Sequence, residues 1–131
     1  MPRALRSILA VFAGLIACVA TVIACTLIAV HAMHLKTGNP APGYLTLNVV
    51  YSLAAALLGG WLAARIAGFK PLHHGLALAM ILALFSLLSL VKPSAAQPYN
   101  YQLLMAVLPP FAVLAGAAIA ARSMPEPTPQ V

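Results

Sequence analysis

Long apolar runs alternate with short polar breaks along this chain. Four runs, at about residues 7–34, 44–67, 72–91 and 101–121, each reach the roughly 20 residues that a helix needs to cross a hydrocarbon core of about 30 Å. The breaks, residues 36–43, 68–71 and 92–100, are rich in Pro, Gly, Asn and Lys, which end helices and set turns. Breaks this short force successive helices to run antiparallel. The pattern predicts an all-α membrane protein: four transmembrane helices in one up-down antiparallel bundle over residues 1–122. A polar, Pro-rich tail, residues 123–131, is expected to be disordered. Pro109 and Pro110 fall near the middle of the fourth run, each removing a helical N–H, so a kink is expected there.

Composition removes the competing classes. Of the 131 residues, 63% are hydrophobic and only 6% charged, and the mean hydropathy is +1.02. A water-soluble domain is about 25% charged and has no means of hiding this much apolar surface. The same figures exclude a disordered chain, and two cysteines are too few for a disulfide scaffold. The net charge of +6 comes from scattered Lys and Arg, not from a basic patch, so nucleic acid is not an expected partner. The cations are distributed unevenly. Arg3, Arg6, Arg65, Lys70 and Arg122 fall on the side of the two termini, whereas Lys36 and Lys92 fall on the other. That bias predicts both termini in the cytoplasm. The start of the chain also has features of a signal peptide: Arg3 and Arg6 precede the apolar run, and Cys18 and Cys25 each follow a lipobox-like stretch. The run continues to Val30, too long for a signal core, so a retained helix is expected.

Small residues let helix backbones approach closely in lipid, where no hydrophobic drive acts between helices. The second run has one at every fourth position: Ser52, Ala56, Gly60, Ala64 and Gly68. These are the expected helix-packing residues. Shorter series occur in the first run (Ala10, Gly14, Cys18), the third (Gly75, Ala79, Ala83) and the fourth (Ala112, Gly116, Ala120).

Candidate chemistry is sparse. The chain has no Asp, and its one Glu, Glu126, lies in the tail, so the spans lack the carboxylates of ion-coupled transport and of acid–base catalysis. No catalytic or metal site is expected. Cys18 and Cys25 are about 10 Å apart along a helix, too far to bond. His31 and His34, at i and i+3, are the only candidates for ligating a haem or pigment, and His73-His74 point about 100° apart. Met105 and Ala106 lose their usual N–H partners to the two prolines, and Ser86 and Ser89 are candidate donors.

The stretch Gly59-Gly60-Trp61-Leu62-Ala63-Ala64-Arg65-Ile66-Ala67-Gly68, followed by Pro71-Leu72-His73-His74-Gly75-Leu76-Ala77-Leu78, resembles small bacterial four-helix membrane proteins. Those proteins have a Gly-Gly-x-Leu/Val-Ala-Ala-Arg element closing the second helix and a Pro-Leu-x-His-Ala/Gly-Leu element opening the third. The resemblance implies a bacterial inner-membrane location and brings no activity with it. The leading expectation is a non-enzymatic membrane protein without a cofactor, acting by helix packing as an accessory subunit or a small homo-oligomer. Its partners would be the lipid bilayer and other membrane subunits or itself. The alternatives are a small transporter or channel working through the fourth helix, and a subunit carrying haem or pigment on His31 or His34.

Overall fold

The computed structural model describes residues 1–35, 42–93, 95 and 97–125. It contains four α-helices: α1 (Arg3–Ala32), α2 (Pro42–Ala67), α3 (Pro71–Val91) and α4 (Tyr99–Arg122). Each is long and apolar enough to span a membrane, which makes the chain a multi-pass membrane protein. Most of the predicted tail, residues 126–131 with Glu126, and the connector residues 36–41 with Lys36 lie outside the described residues.

α2 and α3 stop at Ala67 and Val91 as the sequence predicts, and the other ends differ by one to four residues, for reasons of capping. α1 begins at Arg3 because Pro2 adopts an extended conformation and serves as its N-cap. It stops at Ala32, where Met33 N–H bonds back to Ala29 O and His34 takes a left-handed φ of 49°. α2 and α3 open on Pro42 and Pro71, and Pro suits a first helical turn because its missing N–H is not needed there. Between α2 and α3 only residues 68–70 are non-helical. Gly68 (φ 70°) and Lys70 (φ 42°) both take the left-handed region, which reverses the chain in so short a space. α4 runs as one helix through Pro109 and Pro110.

Contacts along the helix pairs establish their directions. Arg6 meets Ile66 and Thr26 meets Tyr51, so α1 and α2 are antiparallel. Tyr101 meets Asn48 and Ser123 meets Arg65, so α2 and α4 run parallel. The N-terminus, the α2–α3 turn and the end of α4 therefore share one end of the bundle. The helices are ordered α1, α2, α4, α3 around it. The pairs α2–α4, α1–α2 and α3–α4 are closely packed, α1 touches α3 only lightly, and α1 and α4 do not meet among the described residues.

The interior consists almost entirely of small side chains. Ala10, Ala55, Ala56, Ala63, Ala64, Ala67, Ala117 and Ala120 are wholly buried, and among the described residues only Leu78 and Val113 bring larger side chains to full burial. The long apolar side chains point outward, as Phe12, Ile16, Met80 and Phe111 do, into the region that lipid occupies. Such an inverted distribution is stable only in an apolar solvent.

Candidate functional site

The α2 stripe lies at the centre of the packing. Ser52, Ala56, Gly60 and Ala64 are buried along one face of α2. A Cβ added to Gly60 would lie 2.8 Å from Val113 C and 2.9 Å from Val113 Cα, so this face is pressed against the α4 backbone. The relation is mutual: a Cβ on Gly116 would lie 2.9 Å from both Leu57 C and Trp61 N. On its other flank, α2 meets α1 through Gly59 and Gly14, each of which would bring a Cβ within 2.7 Å or less of the other's carbonyl oxygen. Gly68 has a different role. It is exposed, lies beyond the end of α2, and packs against the Arg6 guanidinium, 2.6 Å from where its Cβ would be.

A half-buried polar cluster lies on α2, facing α1 on one side and α4 on the other. Thr26 and Tyr51 share a hydrogen bond of 2.8 Å. The Asn48 amide donates to the Tyr51 hydroxyl and, at 3.4 Å, to the Tyr44 hydroxyl, while its oxygen accepts from the Tyr101 hydroxyl. Asn48 thus ties α2 to α4, and Tyr51 ties α2 to α1. Sequence reasoning overlooked Thr26, Asn48 and Tyr51. The available signal was the spacing of Tyr44, Asn48 and Tyr51, which puts three polar groups on one face of α2. Buried amides and hydroxyls in lipid have no water to turn to, so their hydrogen bonds must be made within the protein.

A groove of about 400 Å³ opens between α3 and α4, toward the end opposite the termini. Ser86, Ser89 and Lys92 line it from the α3 side, and Gln97, Tyr101 and Gln102 from the α4 side. Met105 and Ala106, the residues whose carbonyls lose N–H donors to Pro109 and Pro110, also line it. Met105, Ala106 and the two serines therefore line one groove. Pro109 is buried and Pro110 half-buried.

At the terminal end of the bundle, the Arg6 Nε–H donates to Ile66 O at 2.8 Å, satisfying a carbonyl in the last turn of α2. Arg65 stacks over Trp61, 5.4 Å from the ring centroid, and its guanidinium donates to Ser123 Oγ at 3.4 Å. Ser123 in turn donates to Ala120 O at 2.9 Å, and Met124 packs on the buried Ala64, Ala117 and Ala120.

The histidines do not assemble. His31 is exposed on α1, and His34 lies past the helix end in a left-handed turn, so the two do not share a helical face. This corrects the i, i+3 pairing on which the ligand candidacy rested: the helix stops at Ala32 before His34 is reached. His74 is buried, its Nδ1 3.0 Å from Lys70 O and its ring edge-on to Phe69 at 5.1 Å, while His73 is exposed. Among the described residues, no group of three or more His, Cys, Asp or Glu is placed to hold a metal ion. Cys18 and Cys25 are free thiols.

Comparison with family models, curated proteins and solved structures finds no match.

Proposed function

We propose that the chain is a non-enzymatic inner-membrane protein that works through its helix faces, as an accessory subunit of a larger membrane assembly or as a small homo-oligomer. The observation that carries this reading is the interior. Helix backbones meet directly at Gly14–Gly59 and Gly60–Val113, and alanines fill the remaining space. Packing of that kind makes a rigid bundle and commits the α2 stripe to contacts within the chain. What the protein offers to neighbours is its outer surface of Leu, Ile and Phe. The mass of the particle extracted in mild detergent tests this. A mass well above one 13.6 kDa chain, or a co-purifying membrane protein, supports it; a lone monomer overturns it.

The α3–α4 groove favours a second reading, a carrier for a small amphiphile. Its polar lining is supplied by Ser86, Gln97, Tyr101 and Gln102. Filling it with Ser86→Leu and Ser89→Leu should then abolish co-purification of a small molecule with the chain. If wild type and variant carry the same small molecules, the groove is not a binding site.

The proposed orientation places both termini in the cytoplasm, supported by the gathering of Arg3, Arg6, Arg65, Lys70 and Arg122 at one end of the bundle. A green fluorescent protein fused to the C-terminus should fluoresce in a bacterial host, and a fused alkaline phosphatase should be inactive. The opposite pair of results would invert the topology.

A further inference from the structure

We infer that the terminal end of the bundle holds a specific site for an anionic phospholipid, with the phosphate at Arg3, Arg6 and Lys70 and an acyl chain along the α1–α3 groove. A cavity of about 530 Å³ lies where the first turn of α1 faces the α2–α3 turn, lined by Met1, Arg3, Arg6, Gly68, Phe69 and Lys70. Three cationic side chains face one space, and no described residue has a carboxylate to neutralise them. Both helices that begin beside the cavity, α1 and α3, lack a side-chain cap and have no acid in the first turn. Their starts present positive helix ends to whatever fills the cavity, and an anion fits such a place. Arg6 is held in position by its bond to Ile66 O at 2.8 Å and by its packing on Gly68.

The occupant is assigned as a lipid, and not a free phosphate, because an apolar groove lies next to the cavity along the same two helices. About one turn further along α1 and α3, a second space of about 360 Å³ is lined by Ile8, Val11, Phe12, His74 and Ala77, with Ser7 and His73 at the charged end. It exists because α1 and α3 are the loosest neighbouring pair in the bundle. A charged cavity beside an apolar trough along two membrane helices matches a headgroup followed by its chain.

The test uses the purified full chain, delipidated in detergent and examined by native mass spectrometry with added dioleoyl phosphatidylglycerol or dioleoyl phosphatidylcholine. The expected result is retention of the phosphatidylglycerol adduct at least tenfold over phosphatidylcholine. At about 1 kcal/mol per cation near an anionic headgroup, Lys70→Gln should weaken this adduct about fivefold and the Arg3→Gln, Lys70→Gln pair about 30-fold. These side chains are exposed, so neither change threatens folding, whereas Arg6 is left intact because it also caps α2. Arg122→Gln, which removes a charge at the same end outside the cavity, should leave the adduct unchanged. Equal losses from Lys70→Gln and Arg122→Gln would show a diffuse surface charge and overturn the site. Ala77→Phe, which fills the groove, should weaken lipid binding, and equimolar glycerol phosphate should not displace the lipid. Displacement by glycerol phosphate, or full binding by Ala77→Phe, would show an anion site without a chain groove and overturn the assignment to lipid.

Discussion

Gly60→Ala is the most direct test of the packing. A Cβ at position 60 would lie 2.8 Å from Val113 C and 2.9 Å from Val113 Cα, whereas carbon atoms rest comfortably at about 3.5–4.0 Å. The Val113 carbonyl oxygen lies nearer still, and all the obstructing atoms are backbone, so no side-chain rotation relieves the clash and α2 and α4 must part by about 1 Å or more. A radial gap of that size forfeits about half of the dispersion energy of each contact it opens. It opens them along Ala56, Ala64, Val113 and Ala117, the row that forms the centre of the bundle. Overpacking of this kind costs about 1–3 kcal/mol, and the rigid obstacle puts Gly60→Ala at about 3 kcal/mol, less up to about 1 kcal/mol from the better helix propensity of Ala. The control is Gly43→Ala in the first turn of α2, where the added methyl meets only Met33 Cε at 3.9 Å and the cost should stay within about 0.5 kcal/mol. Reversible unfolding in mixed micelles, followed by the fluorescence of Trp61, the single tryptophan, measures both. Equal stability of Gly60→Ala and Gly43→Ala would refute the claim that α2 and α4 are in backbone contact.

Asn48→Leu should destabilise the bundle by about 1–2 kcal/mol, because the hydroxyls of Tyr51 and Tyr101 lose their common partner in a medium without water; an unchanged unfolding midpoint would deny the cluster a structural role. Gly68→Ala should cost about 1–2 kcal/mol for the left-handed backbone, and more for the contact with Arg6, so Arg6→Gln should recover part of the loss in a double-mutant cycle. Strict additivity of the two changes would contradict that contact. Arg65→Gln should change the emission of Trp61 and cost about 0.5–1 kcal/mol, whereas Arg122→Gln should change neither; identical emission in all three proteins would remove the Arg65–Trp61 stacking.

What the sequence determined by itself follows from the bilayer as solvent. Runs of about 20 apolar residues separated by Pro and Gly admit one solution, spanning helices, since only a helix satisfies its own backbone in lipid. The short breaks then make successive helices antiparallel, and the four-residue spacing from Ser52 to Ala64 marks the α2 face that is buried. One end was misjudged because hydropathy runs past a cap: the apolar run reaches Leu35, but the backbone turns at Met33. The end of α2 at Ala67 agrees with the expected run, and Gly68 continues the spacing of the stripe after the helix has ended. Only the tertiary structure decided which helices touch. The parallel pairing of α2 with α4 joins residues more than 50 positions apart, and nothing local in Gly60 or Gly116 names its partner. The same holds for the polar sites. Thr26 and Tyr101 are unremarkable until the bundle brings them to Tyr51 and Asn48, and Arg3, Arg6 and Lys70 are scattered cations until the α2–α3 turn comes back beside the start of α1. Hydropathy records the preference of each residue for lipid, whereas partner choice depends on the shapes of whole helix faces, and a shape exists only once the chain has folded.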